Sequence, residues 1–233
     1  TLLSITHRFA SGIIAISKGV KKDLCRAALL SDKKVKVIYD PAAKGIQNEI
    51  FSNNLNQRWG DSFKIRILAV GLLTKQKDFE TLIAAFSIIH ATLHAKLVII
   101  GDGPLRNKLS NLIDQLDLNH CVDLPGYDID LNPWYYSADL FVLSSRWEGF
   151  GNVIVEALEH GLPVVSTDCP SGPAEILENG RYGNLVSVGD KDALAASMID
   201  AVKNPIDSDT LKQRANDFSV NKISNEYIEY ITS

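Results

Sequence analysis

The chain has 233 residues, 45% of them hydrophobic and 22% charged, an ordinary balance for a soluble globular protein with a sizeable core. Its 24 basic and 28 acidic residues give a net charge of −4 without any long basic run, which argues against a dedicated nucleic-acid surface. Cys25, Cys121 and Cys169 are odd in number and far apart, so neither a disulfide framework nor a zinc site is expected, and buried thiols in a reducing cytoplasm are.

The first forty residues read as a unit of their own. Residues 12–16 form an apolar run, 18–30 a helical pattern, and 35–39 a second run ending at Asp40 and Pro41. One β–α pair cannot bury both its faces. This start, which opens on Thr1 rather than Met, is therefore expected to be the last piece of a neighbouring domain that the chain lacks. A polar stretch over 47–61 follows. Short apolar runs at 65–70, 97–100, 140–143 and 164–166 then read as buried strands. Between them lie helical patterns. Phe79, Leu82, Ile83, Phe86, Ile89 and Leu93 make one, and Leu105, Leu109, Leu112, Ile113 and Leu116 another. A third spans 152–160 and stops at Gly161 with Pro163 just beyond; residues 193–202 and 220–231 complete the set.

Strands alternating with helices predict an α/β fold with a Rossmann-like, doubly wound parallel sheet. The expected division is a tail of another domain over 1–40, a nucleotide-binding domain over 41–218, and a closing helix over 219–233. Ligands of such sheets gather at the carboxyl ends of the strands. Here those ends carry Gly71, the run Gly101, Asp102, Gly103 and Pro104, then Gly126 with Tyr127, and the segment from Ser144 to Gly151.

That last segment holds the chemistry. Glu148 sits in a loop bracketed by Gly149 and Gly151, and Glu156 lies eight positions on, within the following helix. Free amides at a helix start make an anion site, so a diphosphate can be held there without a metal. Ionised carboxylates accept from pairs of hydroxyls, as a sugar presents them. Glu156 can hold a ribose, and Glu148 a hexose beyond the diphosphate. Each glutamate alone reads as a helix-start acid or a surface charge; Glu156, however, is set among Val153, Ile154, Val155, Ala157 and Leu158. The histidines, His7 included, show no ligand spacing. Asp128 and Asp130 form an acidic pair in a surface-like turn, so no metal site is expected.

The spacing of Glu148 and Glu156 resembles the carboxylate pair of glycosyltransferase family 4, whose members place two Rossmann-like domains across a cleft (the GT-B arrangement). Six further stretches match in order: Ala15 to Val20, Val37 to Pro41, Gly71 to Phe86, Ile99 to Pro104, Gly161 to Val165, and Gly172 to Ile176. The resemblance covers nearly the whole chain and implies the C-terminal, donor-binding half of a retaining glycosyltransferase. Such an enzyme moves a sugar from a nucleotide diphosphate, UDP foremost, to an acceptor hydroxyl, as in polysaccharide biosynthesis. It implies that Glu148 contacts the donor sugar and Glu156 the ribose. The backbone of Gly149, Phe150, Gly151, Asn152 and Val153 would meet sugar and diphosphate. Lys77 would neutralise the departing diphosphate, and Tyr127 would lie against the base. No cofactor is expected, the acceptor would be a carbohydrate or a lipid-linked one, and the fragment by itself would be inactive. One departure stands out: Leu72 replaces the family's arginine, with Lys75 as the nearest substitute. A non-catalytic nucleotide-sugar module and an epimerase of similar architecture are the alternatives. No apolar run reaches the ~20 residues a spanning helix needs, so a cytoplasmic place is expected, with peripheral contact at the inner membrane face left open.

Overall fold

The computed structural model describes residues 10–46, 59–60 and 63–233. His7 and nearly all of the polar stretch over 47–61 lie outside the described residues.

The chain begins with β1 (Ile13–Ala15), α1 (Lys18–Ala28) and β2 (Val35–Val37). The two strands pair in parallel as a small sheet of their own. Ser17 caps α1, its hydroxyl accepting from the Val20 amide at 3.1 Å. The main sheet follows. It comprises β3 (Ile65–Val70), β4 (Ala95–Ile100), β5 (Val122–Gly126), β6 (Leu140–Leu143), β7 (Val164–Thr167) and β8 (Asn184–Val186). Its spatial order is β5-β4-β3-β6-β7-β8, and every pairing is parallel. Chain order runs outward from β3 to one edge, then returns to build the other half from β6. This is the doubly wound α/β fold that the alternation of runs predicts.

Strand residues alternate between two cores. Ile67, Ala69, Leu97, Ile99, Leu140 and Val142 face a layer built from α2 (Phe79–Leu93), α3 (Arg106–Gln115) and α7 (Lys191–Lys203). Leu68, Val70, Val98, Ile100, Phe141 and Leu143 face the other layer, of α4 (Asn132–Ser137), α5 (Asn152–Glu159), α6 (Pro173–Ile176) and α8 (Ser208–Asn216). Because both faces are covered, the strands read as continuous apolar runs rather than alternating ones. Helix α2 buries Phe79, Leu82, Ile83, Phe86 and Ile89, the residues its sequence spacing selects. Pro125 is tolerated in β5 because that strand is at the sheet edge. The last helix, α9 (Val220–Thr232), starts at Ser219, whose hydroxyl accepts from the Lys222 amide.

Candidate functional site

The strand order reverses between β3 and β6, and the loops leaving these two strands face each other there. The first loop carries Lys77 and the second Glu148. Lys77 Nζ donates to Glu148 Oε1 at 2.6 Å, an ion pair whose two side chains are only 15% and 7% exposed. Ser145 Oγ donates to the same Glu148 oxygen at 2.6 Å. The two loops are sewn together beneath this pair. Ser144 Oγ donates to the Lys77 carbonyl, the Arg146 amide to the Gln76 carbonyl, and the Gln76 side-chain amide to the Trp147 carbonyl. Arg146 also pairs with the buried Asp78 at 3.1 Å. The Glu148 carboxylate is thus held by fixed donors rather than by solvent, which is what a charge-stabilising site requires.

The loop then turns into α5. Gly151 is the N-cap, at φ 103 and ψ 52, and no side chain caps the helix. The amides of Asn152 and Val153 open it and have no intrahelical acceptor by helix geometry. Gly149 and Gly151 keep bulk off this stretch. Phe150 points the other way: it is 2% exposed, stacked on Tyr39 at 5.2 Å and edge-on to Phe218 at 5.3 Å. Only its backbone can meet a ligand.

Glu156 lies just over one turn along, where its Oε2 accepts from the Tyr135 hydroxyl at 2.9 Å. Tyr135 is buried and stacked on His160 at 5.2 Å; burial, then the neighbouring Glu156, pushes its phenol well above the ordinary range. Glu156, Tyr135 and His160 line a cavity together with Ala42, Gly45 and Ile129. Glu148 and Lys77 do not line it, so the two carboxylates do not share this cavity. Tyr127 follows β5 and is 78% exposed. Asp128 and Asp130 are occupied within their turn, accepting from the Trp134 indole and from Asn132. Leu72 is exposed and Lys75 likewise. Sequence reasoning missed Tyr135, because an aromatic pair in a short helix has the appearance of ordinary core.

Cys169 lies close enough to feel Glu148. Burial, with that carboxylate adding, pushes its thiol up to about 11. At pH 8 this thiol is expected to resist maleimide while the half-buried Cys25 reacts, as peptide mass spectrometry after brief labelling would read.

A cation and a carboxylate thus meet at the switch point of a doubly wound α/β sheet, beside an uncapped helix start. Solved glycosyltransferases of the GT-B kind share this fold. Anabaena HepE in complex with UDP and glucose is 26% identical, with a TM-score of 0.84, over 99% of this chain and 65% of that one. The chain belongs to the glycosyl transferases group 1 family, whose profile matches residues 64–204. One relative is the Campylobacter jejuni N-acetylgalactosamine-N,N'-diacetylbacillosaminyl-diphospho-undecaprenol 4-alpha-N-acetylgalactosaminyltransferase. It is 33% identical over 99% of this chain and 62% of its own length. The capsular polysaccharide biosynthesis glycosyltransferase CapM of Staphylococcus aureus is 30% identical over 94% of this chain and 59% of its own. The chain therefore spans about three fifths of the length of these two relatives. Among the described residues, no helix is long and apolar enough to cross a membrane.

Proposed function

We propose that this chain is the donor-binding half of a retaining glycosyltransferase of family 4, passing a sugar from a nucleotide diphosphate to an acceptor hydroxyl. The observation that carries the reading is the ion pair of Lys77 and Glu148 across the switch point. A donor entering there finds a carboxylate for its sugar hydroxyls and an ammonium for its diphosphate. As the glycosidic bond breaks, negative charge gathers on the diphosphate. Lys77 and the Asn152 and Val153 amides stabilise that charge most where it is greatest. No metal is needed for this step. Glu156, set by Tyr135, takes the ribose hydroxyls, and the exposed ring of Tyr127 covers the base.

UDP is the favoured nucleotide, on the strength of the UDP-bound Anabaena relative. A carbohydrate or lipid-linked acceptor is favoured by the diphospho-undecaprenol-linked compound named for one relative and the capsular polysaccharide biosynthesis named for the other. An acceptor of that kind fits work at the cytoplasmic face of a membrane. Residues 1–40 belong, in this reading, to the acceptor-side domain, and the 233-residue chain binds donor without transferring it.

Calorimetry with the purified chain tests the division of labour. Glu156→Gln is expected to weaken UDP and UDP-sugar alike, by about tenfold, the worth of one charge-assisted hydrogen bond. Glu148→Gln is expected to weaken only the ligand that carries a sugar. Equal losses in both variants would refute the assignment.

A further inference from the structure

The fold gathers a second constellation at the far end of the sheet. His90 lies in the last turn of α2, and His120 and Cys121 immediately precede β5. One ligand atom from each lies within 4.8 Å of the others. These residues sit at the amino ends of β4 and β5, opposite the cleft formed where β3 and β6 end. They belong to no part of the donor site.

We propose that His90, His120 and Cys121 bind a borderline-soft divalent cation, zinc foremost, which ties the end of α2 to the entry of β5. Two imidazoles and a thiolate are the donor set that favours such ions over magnesium or calcium. With bonds of about 2.0–2.3 Å, tetrahedral ligands stand roughly 3.3–3.6 Å apart, so the observed grouping must tighten by about an ångström. His120 is exposed and sits edge-on to the His90 ring at 6.0 Å, whereas the other two are each held by a backbone carbonyl. His90 Nδ1 faces the Ser87 carbonyl at 3.1 Å, which orients the ring and leaves Nε2 as the ligand atom. Cys121 is buried, its thiol directed at the Leu118 carbonyl at 3.6 Å. Without a metal the thiol keeps its proton: burial, with Asp123 adding and Lys96 opposing, pushes it up to about 11. On binding, the cation replaces that proton, which passes to water, and the sulfur enters as thiolate. A water completes the coordination. No ligand spacing is visible in the sequence, because thirty positions separate His90 from His120 and only the β4 crossover brings them together.

Cobalt titration of the tag-free chain tests this. One equivalent is expected to give a thiolate-to-cobalt charge-transfer absorption that zinc abolishes by displacement. Cys121→Ser should remove the band, and His120→Ala should weaken binding at least about tenfold. Cys25→Ser should leave both unchanged. Zinc in excess should raise the thermal midpoint of the wild-type chain and not that of His120→Ala. His120 is exposed, so the His120→Ala variant keeps its fold, which circular dichroism verifies. No cobalt uptake, a spectrum without the thiolate band, a band surviving Cys121→Ser, or undiminished binding by His120→Ala would each overturn the proposal. Because these readouts involve no nucleotide, they stand or fall apart from the donor-site reading.

Discussion

Replacing Glu148 with Gln in the whole enzyme is expected to lower turnover about 10²–10³-fold, the usual loss on removing a preorganised electrostatic group. The amide keeps the shape and can still accept from Ser145 Oγ. It carries no charge to offset Lys77, which is largely shut off from water. Lys77→Met should be as damaging to catalysis, since it removes the cation proposed for the diphosphate and leaves Glu148 uncompensated. Breaking one side of such a pair costs more stability than removing both. The double variant is therefore expected to be more stable than the summed losses allow, with a coupling of about 1–3 kcal/mol. Urea denaturation of the four proteins measures this. Strict additivity would show that the two side chains do not interact in solution.

Phe150→Ala carries the largest expected effect on folding. The ring fills the space between Tyr39 and Phe218, and Ala leaves a cavity there. Such a truncation costs about 3–5 kcal/mol, a large share of the ~5–15 kcal/mol that holds a typical domain. The thermal midpoint should fall by about 10 °C. Phe150→Leu, which keeps most of the volume, should lose much less. Because the same residue anchors the loop carrying Glu148, the Ala variant should also lose donor affinity at temperatures where it is still folded. Melting curves with and without UDP-sugar separate the two effects. An unchanged midpoint would mean that the aromatic cluster is not the loop's anchor.

The strands and the long helices of the main sheet were legible because their apolar periodicity is strong and both faces of the sheet are covered. Residues 65–70 and 140–143 were read with the bounds the structure gives them, and Gly161 marks the end of α5 as its position suggests. Helix α8 escaped notice because it is polar, burying Leu211 and Ala215 alone. Helix α4 is six residues long and begins at Asn132 and Pro133, which look like a turn. Strand β8 is three half-buried residues with too little pattern to detect. In the site, spacing within one loop and helix revealed Glu148 and Glu156. The donors that hold them come from other segments: Tyr135 lies 21 positions from Glu156, and Lys77 lies 71 from Glu148. Family resemblance points to Lys77 and nothing in the sequence points to Tyr135, since spacing alone cannot reveal partners that only the tertiary fold brings together.

The turn at 171–175 reaches in two directions. Glu175 accepts from the Lys18 and Gly19 amides at 2.8 and 3.1 Å and from the Tyr39 hydroxyl at 3.2 Å. A methyl group on Gly19 would stand 2.9 Å from the Ser171 backbone, and one on Gly172 would stand 1.7 Å from the Phe150 carbonyl oxygen. The Ser171 and Glu175 side chains thus bear on α1, and main chain rests directly on main chain where Gly172 meets Phe150. A tilt of the first β–α–β unit passes through the short Ser171 and Glu175 side chains to the Gly172–Phe150 contact, and so reaches the loop carrying Glu148 as a displacement. The posture of that unit and the position of Glu148 become one mechanical variable, and selection acting on either must move both.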